Sequence, residues 1–198
     1  MTDWIFATPT LILISGHAGV GKTTLANYII EYIKENYSYL LVVKESFARG
    51  VKDTAKQGFN WDGEKDQKGR KLLQDVGRAG REYNIDLWAT QTRNRIWTLP
   101  VFPNLVIIDD WRFPNEVDYF NRVRFFNFKA NNVYAVRIEA PQREILKDTP
   151  EYFDVSETSL DNYNRYNYII NNSGSLEELK NNAGKIIELL IRSEKEEK

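Results

Sequence analysis

The chain has 198 residues, 42% of them hydrophobic, a formal net charge of −1 and no cysteine. That length supports one well-cored domain; the missing cysteines exclude disulfides, thiolate metal sites and cysteine nucleophiles. The balanced charge excludes a global basic field for sequence-independent nucleic-acid binding. No apolar run approaches the roughly 20 residues that span a bilayer, and MTDWIFATPT lacks the basic start and long apolar core of a secretion signal.

The expectation is therefore a cytoplasmic protein with no membrane or nucleic-acid partner; a homodimer is left open. After a short lead-in over residues 3–9, a strand over 11–15 runs into Gly16-His17-Ala18-Gly19-Val20-Gly21-Lys22-Thr23, followed by Thr24. This run matches the phosphate-loop pattern G-x-x-x-x-G-K-[ST] at every fixed position. The glycines let backbone N–H groups turn inward around phosphate oxygens. Lys22 can reach the β- and γ-phosphates, Thr23 offers a hydroxyl to Mg²⁺, and the following helix, expected over 22–36, directs its positive end at the anion. His17, at a variable position, reads as an outward-facing spectator.

Residues 39–43 form a second strand candidate, leading into a helix that carries Lys52 toward the pocket. Residues 57–64 read as a loop by their turn chemistry; Phe59 and Trp61 within it are either a stacking platform for a base or a satellite core. On a helix over 66–83, Leu72, Leu73, Val76, Ala79 and Tyr83 share one arc, the expected core face. Asp66, Arg70, Gln74, Arg78 and Arg81 share the opposite one. Three guanidiniums there suit a phosphate dianion, although a solvated surface face accounts for them equally well. Gly77 and Gly80 suggest close approach of a backbone or ligand. The next helix, over 85–99, has Trp88, Ile96 and Trp97 as expected core and Gln91, Arg93 and Arg95 as candidates for the cleft wall.

Residues 104–110 read NLVIIDD, an apolar strand ending in Asp109 and Asp110. At the carboxyl end of a parallel strand, level with the phosphate loop, such a carboxylate meets Mg²⁺ directly or through water. Arg112 follows beside the transferring phosphate, with Asn115 as a candidate N-cap. A strand over 133–139 precedes a long polar segment, 141–167, which with Arg143 and Arg165 reads as a closing lid. Strand 168–170, a turn with Asn172, and a helical stripe from Leu176 through Leu179, Ala183, Ile186, Ile187 and Leu190 to Ile191 complete the chain. Strands alternating with helices argue an open, mostly parallel sheet covered on both faces. Lys22, a metal-binding hydroxyl, a strand-end carboxylate, several arginines and a lid make up the equipment of phosphoryl transfer.

These blocks resemble the phage-type deoxynucleoside monophosphate kinases, within the nucleoside monophosphate kinase group of phosphate-loop proteins. The resemblance rests on GHAGVGKTT, Phe47-Ala48 with Val51-Lys52, Lys65-Asp66, Arg70 to Gly77, Arg81, and Asp86-Leu87-Trp88. It extends to the specific block from Asp109 through Trp111-Arg112-Phe113-Pro114-Asn115-Glu116, then Val155-Ser156-Glu157, and Ile170 to Leu179. It implies a P-loop NTPase three-layer α/β/α domain over residues 1–198, with an acceptor-binding helical region near 45–100 and a lid at 141–167. ATP with Mg²⁺ would be the donor and a (deoxy)nucleoside monophosphate the acceptor. The acceptor phosphate would be held by arginines of the Arg70 to Arg81 helix and Arg112, and the turn from Asn171 to Gly174 would lie near the donor adenine. The chain departs from the family pattern at Arg49, where an acid is expected, and at Asp154, where a histidine is expected; a second arginine near Glu139 is also missing. A kinase for another small phosphorylated metabolite, as in phosphomevalonate kinases of similar fold, and a slowly hydrolysing nucleotide switch remain the alternatives.

Overall fold

The computed structural model describes residues 10–123 and 132–196, with side chains through Ser193. The expected lead-in over 3–9 lies outside the described residues. Five strands, β1 (Thr10–Ser15), β2 (Val42–Glu45), β3 (Leu105–Ile108), β4 (Asn132–Glu139) and β5 (Tyr168–Asn171), form one sheet in the order β2-β3-β1-β4-β5 with every pairing parallel. β1 is central and all six of its residues are buried, because helices cover both faces of a parallel sheet and an uninterrupted apolar run satisfies both. The period of two then divides its side chains. Ile12 and Ile14 join a core with α1 (Lys22–Asn36) and α7 (Leu176–Glu196), while Leu11 and Leu13 join another with Trp111, Phe120 and Leu160.

Between β2 and β3 lies a helical lobe of α2 (Ala48–Phe59), α3 (Gln67–Tyr83) and α4 (Leu87–Trp97); α5 (Pro114–Arg122) follows β3. Asp66 begins α3 as an N-cap, its Oδ1 accepting the Gly69 N–H at 2.7 Å. The expected core face of α3 is only partly right. Val76 is buried and Leu72 and Leu73 are half-buried, but Ala79 is exposed and Tyr83 is 87% exposed. Gly69, Gly77 and Gly80 are the buried positions instead. A Cβ on Gly80 would overlap the Trp88 ring, and Trp88 Nε1 donates to the Gly77 carbonyl at 3.0 Å. The helix meets α4 through its missing side chains, which a hydrophobic wheel does not register.

Three other expectations shift. The second strand starts at Val42 rather than Tyr39, since pairing with Leu105 sets its start; Tyr39 and Leu41 are exposed. Phe113, not Asn115, is the N-cap of α5; Glu116 in its first turn accepts the Arg112 and Phe113 N–H groups at 2.9 and 3.0 Å, and Asn115 donates to the Ile85 carbonyl. Trp97 is 36% exposed rather than core. Residues 141–167 are ordered as two 3-10 turns, Pro141–Arg143 and Pro150–Phe153, and a single helical turn, α6 (Val155–Thr158). In α7 the stripe from Leu179 to Ile191 is buried, with Leu176 left exposed. Among the described residues no helix is long and apolar enough to cross a membrane.

Candidate active site

The loop after β1 turns into α1 through Gly21, whose φ of 104° is a left-handed conformation that glycine adopts without strain. Gly19, at φ 92°, needs glycine twice over, because a Cβ there would also overlap the Arg143 carbonyl. Asn172 is almost fully buried behind the loop, and its Nδ2 donates to the Val20 carbonyl at 2.8 Å. Its side chain supports the loop from behind. Arg143 is aimed at the neighbouring turn, its Nη2 donating to the Gly174 carbonyl at 2.6 Å. These two predicted site residues are brought to the loop, but through contacts to protein carbonyls.

Lys22 reaches back over the loop, with Nζ 2.7 Å from the Gly16 carbonyl and 2.8 Å from that of His17. Burial, with Arg112 nearby, lowers its pKa to about 7, and a neutral amine still has the two N–H groups those contacts use. His17 is not the outward-facing spectator expected. It is buried, stacked on Tyr152 with ring centroids 5.0 Å apart, and its Nε2 lies 3.0 Å from Asp161 Oδ1. Arg137 holds that same Asp161 oxygen at 3.1 Å.

The paired aspartates after β3 divide their work. Asp109 Oδ2 accepts the Thr23 hydroxyl at 2.6 Å and lies 2.8 Å from Lys44 Nζ. Asp110 instead accepts from Ser46 Oγ at 2.6 Å and from the Phe47 and Ala48 N–H groups at 3.0 and 2.9 Å, which fixes the start of α2. Both line the cleft, but the Thr23 hydroxyl is bonded to Asp109.

From Lys22 and Thr23 a cleft of about 460 Å³ opens toward the helical lobe. Its walls carry Lys52, Lys65, Arg78, Arg81 and Arg112 together with Val51, Leu73, Trp88 and Phe113. Arg81 lies over the Phe113 ring, 3.9 Å from its centroid, and Trp88 is 5% exposed. Lys65 has its pKa lowered by burial and by Lys52, Arg70 and Arg112 around it. Glu116 is pushed up to about 8 by burial, against the two N–H groups it accepts.

Two residues predicted for the acceptor site are not on these walls. Arg70 is exposed, with Nε donating to the Lys65 carbonyl at 2.9 Å; Trp61 bonds the Glu64 carbonyl and packs beside Gly69, closer to a satellite contact than to a base platform. Arg95 leaves the cleft wall for buried Glu45, at 3.1 Å, Gln91 lies beside Gly50, and Arg93 lies over the Trp97 ring.

Sequence reasoning passed over three residues here. Lys65 entered only through the resemblance, and Lys44 had no role assigned to it. Glu157, within the Val155-Ser156-Glu157 block, bonds the loop directly: its Oε2 accepts the Ala18 N–H at 3.0 Å, and Oε1 lies 2.6 Å from Arg112 Nη1.

A glycine-rich loop cradled between β1 and α1, in an all-parallel sheet with helices on both faces, makes this a phosphate-loop three-layer α/β fold. No protein-family model and no curated relative matches the chain. Among solved structures, it is similar to a shikimate kinase from Acinetobacter baumannii in complex with shikimate, at 14% identity over 96% of each chain, with a TM-score of 0.49. It is also similar to a thymidylate kinase from Ehrlichia chaffeensis (14% identity, 91% of this chain and 99% of that one, TM-score 0.47). A gluconokinase from Sinorhizobium meliloti has 12% identity over 93% of this chain and 95% of that one, with a TM-score of 0.48.

Proposed function

We propose that the protein is a kinase that transfers the terminal phosphate of ATP to a (deoxy)nucleoside monophosphate, giving the diphosphate. One observation carries the reading: a single cleft joins Lys22 and Thr23 of the phosphate loop to a chamber lined by Val51, Leu73, Trp88 and Phe113 together with Lys52, Lys65, Arg78 and Arg81. A base suits the apolar part of this lining, and a phosphate dianion suits Arg78, Arg81 and Lys65.

In the proposed reaction an oxygen of the acceptor phosphate attacks the γ-phosphorus as the bond to the β-phosphate oxygen breaks, and ADP leaves. The acceptor phosphate is anionic near pH 7, so no general base is needed. Lys22, Arg112 and Arg81 would neutralise the charge that gathers between donor and acceptor. Arg143 and Asn172 would support the loop, through the carbonyl contacts they make, rather than the phosphates.

The donor set suits Mg²⁺. Thr23 offers a hydroxyl and Asp109 a carboxylate, both hard oxygen donors. Held by these two residues, Mg²⁺ would supply charge neutralisation. A coupled assay of ATP against a panel of ribo- and deoxynucleoside monophosphates tests the proposal. ADP release that depends on one or a few of them supports it; slow release indifferent to every acceptor points to the switch.

A further inference from the structure

Glu157 has no role in the reaction as written, yet it links the two halves of the cleft. Its side chain is 8% exposed, and its two oxygens are divided between the Ala18 N–H at 3.0 Å and Arg112 Nη1 at 2.6 Å. A carboxylate bridging a phosphate-loop amide and a guanidinium has the charge and oxygen spacing of part of a phosphate group. Its position fits that likeness. The residues just before it, Asp154, Val155 and Ser156, line the cleft, as does Arg112. The carboxylate therefore lies at the junction between loop and chamber, where a phosphate passing from donor to acceptor must lie. Ser159 Oγ donates to the Arg112 carbonyl, and Arg112 Nη1 reaches the Ser156 carbonyl at 3.2 Å, so the arginine is held by the same short segment.

We infer that Glu157 is a positioning residue and an internal competitor: it holds Arg112 at the junction, and the nucleotide's terminal phosphate must displace it to take the Ala18 amide and the guanidinium. The inference rests on the kinase reading. A triphosphate meets this competition, whereas a diphosphate, which lacks the terminal group, does not. The apparent affinity for ATP is then reduced by the fraction of molecules in which Glu157 holds the amide.

Glu157→Gln keeps the shape and removes the charge, which weakens the contact to Arg112 most. Calorimetric titration of the full chain with Mg-ATP and with Mg-ADP, without acceptor, should find ATP bound about 3- to 30-fold more tightly than by the wild type and ADP changed by less than about twofold. In steady state the fall in KM for ATP should exceed any fall in kcat, so that kcat/KM for ATP rises; a merely structural residue would lower it. Glu157→Ala should give the same pattern if the amide disturbs the fold. Equal shifts for ATP and ADP, or weaker ATP binding in both variants, would overturn the inference while leaving the kinase reading intact. A wild-type protein that binds neither nucleotide would overturn both.

Discussion

The Thr23 hydroxyl donates to Asp109 Oδ2 at 2.6 Å, joining the first turn of α1 to the end of β3. Lys44 adds its ammonium to the same oxygen at 2.8 Å. Asp110, one residue on, instead holds three donors at the start of α2. The two aspartates should therefore fail differently. Asp109→Asn should lower kcat/KM about 10²- to 10³-fold, in the range seen when a single charge-stabilising group is removed, with little change in Tm. Asp110→Ala leaves three donors without their acceptor, at about 1–3 kcal/mol, and should lower Tm by several degrees. Activity and melting measured side by side on both variants decide the assignment; equal losses in both properties would remove it.

Lys22 carries a pH prediction. Its pKa in the fold is lowered to about 7 from 10.5, so the unfolded chain binds more protons between those values, and this residue's contribution to stability grows as pH rises from about 7 to 10.5. A polyphosphate beside the amine favours its charged form. At pH 8, where roughly nine-tenths of a pKa 7 group is neutral, ATP binding should therefore take up close to one proton. Calorimetry in two buffers of different ionisation enthalpy measures that number directly, and Lys22→Met should abolish the uptake.

Two glycines separate a packing constraint from a loose one. Gly80→Ala drives a methyl into the Trp88 ring and should cost about 1–3 kcal/mol by overpacking, raising the acceptor's KM as the chamber wall moves. Gly58, in α2 with nothing near its missing side chain, should tolerate alanine and gain about 0.4–1 kcal/mol. Thermal melts of both variants check the contrast, and a stabilised Gly80→Ala would contradict the packing described for α3 and α4.

The sequence was most informative where one residue type has one job. The phosphate loop and the α7 stripe from Leu179 to Ile191 follow from local chemistry and appear at the expected positions. The lobe was only partly legible: Gly77 and Gly80 read as points of close approach, and Trp88 meets both, but the absence of a side chain has no hydrophobic signal, so the apolar wheel chose Ala79 and Tyr83 for the core face. The Asp109 and Asp110 pair was legible as a strand-end carboxylate site, but their division needs the register of β3 beside β2. Glu157 was hidden more completely, since only the return of residues 141–167 across the loop brings it to Ala18, 139 positions earlier.

Phosphorus NMR of a reaction mixture containing ATP, Mg²⁺ and the monophosphate that supports turnover tests transfer most directly. The account predicts that the γ-phosphorus of ATP reappears as the β-phosphorus of the new nucleoside diphosphate, with little inorganic phosphate, and that Lys22→Ala slows this by at least about 10²-fold. Inorganic phosphate as the main product, or transfer at an undiminished rate in the variant, would contradict it.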